Sequence, residues 1–225
     1  DGANYFVLRD TFPGGAERPT WWHWLNLDKP DRIAVAGNTI EMKTAFGAGT
    51  HFWFAGRQAL DAKVVTTFDY PLGPNYHHRA FGKELGVPNQ EDKETKTILR
   101  VAGKPGEDYF YVVYPHKDAE RLPTFSHPGE GCVKVVTPES TDYVFASDAS
   151  LDFERDDVVF TGRAGAVRVF PDRVVLCLTA GGGRVGYKGC MIEGYAPLER
   201  TIRLGDLKAG VAAAGGTPRQ FATLQ

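Results

Sequence analysis

The feature that most constrains this chain is a recurrence of short apolar runs cut apart by Gly, Pro, Asn and Asp. They are Tyr5–Arg9, Thr20–Leu27, Thr39–Thr44, His51–Ala55, Lys63–Tyr70, Thr97–Val101, Tyr109–Tyr114, Val133–Thr137, Tyr143–Ala146, Val158–Thr161, Ala166–Phe170, Arg173–Thr179, Arg184–Lys188 and Arg200–Leu204. Each is too short for a helix of ordinary length and is bounded by turn residues, which is the pattern of strands. A set of about 14 strands exceeds what one flat sheet holds, so the chain should be all-β, with little helix and two stacked antiparallel sheets in a sandwich or jelly-roll-like arrangement. Gly (26) and Pro (14) supply the turns that such a fold needs.

Local patterns sharpen this. Ala36-Gly37-Asn38-Thr39 between Ile33-Ala34-Val35 and Ile40-Glu41-Met42, and Pro171-Asp172 between Val167–Phe170 and Val174–Leu176, each predict a hairpin. In Thr39–Lys43, Ile40 and Met42 fall on one face and the charged residues on the other. The chain shows no linker and no repeat, so residues 1–207 are expected to form one domain. Residues 71–96 are expected to form a long polar loop, and 208–225 a frayed tail. The opening Asp1-Gly2-Ala3-Asn4, with no Met, predicts a segment of a longer polypeptide.

Charge and composition exclude several classes. With 26 basic and 28 acidic residues the net charge is −2, and the cations are dispersed, which disfavours nucleic acid as a partner. No apolar run nears the roughly 18 residues of a membrane span. The three cysteines, Cys132, Cys177 and Cys190, lack C-x-x-C spacing, so neither a disulfide framework nor a zinc knuckle is expected; Cys177 looks like a buried structural thiol.

Candidate binding and catalytic residues fall in three places. In Trp21-Trp22-His23-Trp24, strand alternation puts Trp22, Trp24 and Asn26 on one face and Trp21 and His23 on the other. Such a strand is either central and covered on both sides, or a sugar-stacking platform. In His51-Phe52-Trp53-Phe54, His51 and Trp53 share a face. A meeting of His51 with His23 would suit metal binding or acid–base work, whereas a hydrogen-bonded sheet histidine is the plainer reading. Tyr76-His77-His78-Arg79, within the long loop, offers a phenol, two imidazoles and a guanidinium, the groups that engage an anionic sugar. Gly181-Gly182-Gly183-Arg184 lacks the Lys-Ser/Thr of a phosphate loop, and no metalloprotease, hydrolase or calcium-loop motif occurs. Neither cofactor nor metal is indicated.

Tyr5–Asp10, Trp21–Trp24, Thr97–Val101, Gly106–Phe110, Thr141–Ser147 and Val159–Val167 together resemble the C-terminal β domain of heparinase II/III-type polysaccharide lyases. The resemblance covers most of residues 4–190 through strand and turn patterns rather than catalytic signatures. It implies a secreted or periplasmic, non-catalytic β module that supports a helical toroid and helps to hold an acidic polysaccharide. Trp22, Trp24, Trp53 and Arg79 are the expected substrate-binding residues. Two alternatives stand beside it: a self-sufficient all-β lyase using Tyr76, His77 or His78 as proton-transfer groups with Arg79 on the uronate, and a purely structural or interaction domain.

Overall fold

The computed structural model describes residues 4–12, 19–26, 30–65 and 97–208. Within these the chain is nearly all strand, as the punctuated apolar runs require. A 3-10 turn at Pro30–Arg32 and a five-residue helix, Leu204–Lys208, are the helical pieces. Sixteen strands assemble into three antiparallel sheets rather than the two expected. No helix among the described residues is long and apolar enough to cross a membrane.

The central layer is a five-stranded sheet ordered β1 (Phe6–Asp10), β8 (Tyr109–Lys117), β5 (Ala48–Phe54), β4 (Thr39–Lys43), β3 (Ile33–Ala36). The β3–β4 hairpin turns through Gly37, whose φ of 57° lies in the left-handed region, as the Gly-Asn signal predicts. A three-stranded sheet, β2 (Thr20–Asn26), β7 (Thr97–Gly103) and β6 (Ala62–Val65), covers one face of the central layer. Trp22, Leu99 and Val101 from it pack with Ile40, Phe52, Phe54, Tyr109 and Tyr111.

The opposite face of the central layer meets β9 (Thr124–Gly129) and β10 (Cys132–Val136), where Phe110 and Val112 pack with Val133, Val135 and Phe125. The central layer is therefore covered on both sides, which explains why Tyr109–Tyr114 is apolar without alternation. β9 and β10 belong to an eight-stranded sheet completed by β11 (Thr141–Arg155), β12 (Val158–Val169), β13 (Arg173–Ala180), β14 (Gly182–Tyr187), β15 (Cys190–Tyr195) and β16 (Leu198–Arg203). On one edge β12 pairs with β11. On the other its first half pairs with β14 and its second with β13, so this sheet encloses a core of its own around the stacked rings of Phe145 and Phe160, 4.1 Å apart.

Some expected runs change length. Val158–Thr161 and, up to Val169, the run that starts at Ala166 both belong to β12, and Tyr143–Ala146 lies near the start of the 15-residue β11. Gly182 and Gly183 open β14, and Gly181, with a φ of 75°, makes the turn into it from β13. Cys177 is half-buried, and the fully buried thiol is Cys132, whose pKa burial pushes up to about 12.

Candidate functional site

The small sheet positions two kinds of aromatic side chain. Trp22 and Trp24 point inward, and Trp22 is buried, with its edge contacts on Phe52, Phe54 and Tyr111 at 5.3–5.4 Å. Trp24, half-buried, stacks on Trp22 at 5.9 Å and meets Phe52 edge-on at 4.9 Å. The Trp22 ring is thus committed to the core, although β2 is an end strand of its sheet rather than the central, doubly covered strand that was one expectation. Trp21 and His23 point the other way, and Trp21 is 47% exposed.

Across the outer face of this sheet runs a row that no single stretch of sequence contains. In register, His23 on β2 faces Arg100 on β7, which faces Lys63 on β6. Strands about 4.8 Å apart put these three basic positions within roughly 10 Å of one another. Arg100 is half-buried, whereas His23 and Lys63 are exposed. Trp21 stands two residues along β2 from His23 on the same face.

At the edge of β2 away from β7 this face opens into a cleft of about 590 Å³ bounded by Trp21, His23 and Trp24 on one wall and by Arg9, Asp10 and Phe12 on the other. The charges on that second wall are tethered. Arg9 donates to Asp108 at 2.9 and 3.2 Å and to the Ala146 carbonyl at 3.1 Å, while Asp10 accepts from the Tyr111 hydroxyl at 3.3 Å. Burial, reinforced by the Asp10 carboxylate, holds the Tyr111 phenol above its ordinary range.

Trp53 lies elsewhere. It projects from the opposite face of β5 and stacks on Phe125 at 5.8 Å, so Trp53 and the Trp22–Trp24 pair occupy different interlayer spaces and form no common platform. His51 is on that same far face, and the expected meeting with His23 does not occur. Its partner is instead Glu41, which bridges two imidazoles: Oε2 contacts His51 Nδ1 at 3.0 Å and Oε1 contacts His116 Nε2 at 2.8 Å. The His116 ring lies against Gly49, where an added Cβ would stand 2.8 Å from it, so the glycine makes the bridge sterically possible. Because each carboxylate oxygen is taken by a different ring, the trio is a hydrogen-bonded chain that ties β4, β5 and β8 together. No three His, Cys, Asp or Glu side chains among the described residues form a metal-binding group.

Tyr76, His77, His78 and Arg79 lie outside the described residues, as does the whole of the long polar loop 71–96. Sequence reasoning named His23 but missed Arg100 and Lys63. Their signal was the alternation of charged with apolar residues in Ala62–Val65 and Leu99–Val101, which places both on an outer face once the pairing is known. No protein family, curated protein or solved structure matches this chain.

Proposed function

We propose that this chain is a β module of a heparinase II/III-like polysaccharide lyase, supporting the catalytic part and holding acidic polysaccharide on the outer face of its three-stranded sheet. The observation that carries the reading is the row His23–Arg100–Lys63 beside the exposed Trp21. Three basic positions in line suit the repeating carboxylates of a uronate chain, and an open indole suits the apolar face of a pyranose. The cleft beside β2 gives the chain a second wall. With a net charge of −2 the whole surface does not attract a polyanion, so such a local row is where attraction has to come from. The lyase parentage and an extracytoplasmic location rest on the resemblance of the strand and turn patterns.

The test is retention of the purified chain in native gels cast with alginate or heparin at low salt. Retardation should appear with at least one of them and should weaken by about tenfold in the combined variant Trp21→Ala, Lys63→Gln. A chain that migrates identically with and without every polyuronate, or a double variant that is retarded like the wild type, would overturn the proposal.

A further inference from the structure

The outer face of the eight-stranded sheet carries a second exposed aromatic with a different polar setting. Tyr195, at the end of β15, is 84% exposed. Its cross-strand partner is Gly182, and a Cβ built there would lie 3.1 to 3.5 Å from the tyrosine ring. The ring therefore leans over a bare stretch of backbone and leaves most of its surface to solvent.

Next to this disc runs a polar row across four strands. Asp152 on β11 pairs in register with Thr161 on β12, Thr161 with Arg184 on β14, and Arg184 with Glu193 on β15. Arg184 Nε donates to Thr161 Oγ1 at 3.2 Å, and Thr161 Oγ1 donates to Asp152 Oδ1 at 2.7 Å. Glu193 and Tyr195 are exposed on the same face, while Val185, Ile192 and Phe160 point the other way into the core. The row thus alternates carboxylate, hydroxyl, guanidinium and carboxylate.

From this geometry we infer that the Tyr195 face is a second glycan-binding platform, and that it takes neutral, hydroxyl-rich pyranose chains rather than polyuronates. A solvent-facing phenol ring on a glycine floor accepts the C–H face of a sugar, and mixed acceptors and donors beside it pair with hydroxyls, which both donate and accept. Carboxylates alternate with the guanidinium groups of Arg184 and of Arg163, which lies against Gly181, so this face lacks the uniformly basic row of the other sheet and charge does not favour a polyanion. The platform does not depend on the uronate reading; either site can fail without the other.

The experiment is a titration of the ¹⁵N-labelled full chain with cellohexaose, xylohexaose and laminarihexaose in turn, followed by amide NMR, with an alginate hexamer as the charged control. At least one neutral hexasaccharide should shift the signals of Gly182, Arg184 and Tyr195, with the same affinity in Trp21→Ala. Tyr195→Ala should weaken that binding by about tenfold and Tyr195→Phe should largely preserve it. Arg184→Gln, an exposed change, should weaken it several-fold with unchanged thermal stability. The inference is overturned if no neutral hexasaccharide moves these signals, if only the alginate hexamer does, or if Tyr195→Ala lowers stability yet keeps wild-type affinity. That last result would make the ring merely a cover for Gly182.

Discussion

The outer faces of the three-stranded and eight-stranded sheets are built alike and charged differently. Each presents one exposed aromatic next to a cross-strand row of polar side chains: Trp21 beside His23–Arg100–Lys63, and Tyr195 beside Asp152–Thr161–Arg184–Glu193. The first row is basic throughout and the second is mixed. The pairing shows how a β scaffold obtains two selectivities from one architecture: strand spacing sets the geometry, and the choice of outward residues sets the charge. Each face also rests on its own core, the first on the Trp22–Phe52 cluster and the second on the Phe145–Phe160 stack.

Removing those cores should separate the faces most strongly. Phe52→Ala and Phe145→Ala should each cost about 3–5 kcal/mol in denaturant unfolding, because both rings are fully buried. Hydrogen exchange should then rise first in β2 and β7 for Phe52→Ala, and in β11 to β14 for Phe145→Ala. Uniform loss of protection in either variant would show that the two regions unfold as one unit.

Gly49→Ala tests the space between them. The added methyl must displace the His116 ring, and thermal or denaturant unfolding should report a loss of about 1–3 kcal/mol. Binding at both outer faces should survive, since the Glu41 chain lies between layers. Salt then sharpens the comparison. Raising ionic strength to about 1 M, where the screening length falls to about 3 Å, should abolish polyuronate retardation and leave neutral-sugar binding nearly unchanged. Equal loss at both faces would remove the charge distinction.

The smallest effect concerns acid. The Tyr143 hydroxyl, at 2.6 Å, and Lys134, at 2.9 Å, hold the Asp156 carboxyl below the usual range. A depressed carboxyl contributes stability that is present above the ordinary aspartate pKa of about 3.9 and is lost as pH falls through its lower folded value. Asp156→Asn should therefore flatten the acid limb of the stability profile slightly, as followed by thermal unfolding from neutral pH downward. The change is expected to be slight because the carboxylate is solvent-exposed.

The sequence made the strands legible wherever alternation or a turn signal was strong, as in Thr39–Lys43 and at Pro171-Asp172. It did not reveal the division into three sheets, because pairing β2 with β7 joins residues more than 70 positions apart and leaves no local trace. β9 and β15 went unrecognised: Ser126-His127-Pro128-Gly129 contains strand-breaking types, and Cys190–Tyr195 lies between turn glycines and a proline. The site was legible by half. Alternation alone separated Trp21 and His23 from Trp22 and Trp24, but a row across three strands exists only in the register. Tyr195 gave no signal, since an aromatic next to Gly and Pro is common in any turn-rich chain.

The double covering of the central layer has a consequence for the chain before it folds. Tyr109–Tyr114 is six consecutive aromatic and β-branched residues without a charge, the composition that self-associates when a strand is left unpaired. Both of its faces and both of its edges are satisfied only when β1, β5, the small sheet and β10 have all arrived. Glu107 and Asp108 before it, and Pro115 and Lys117 after it, stand where gatekeepers are placed against aggregation. Newly made chains should therefore lose solubility first when those flanking charges are neutralised or Pro115 is replaced, rather than when the buried residues are changed.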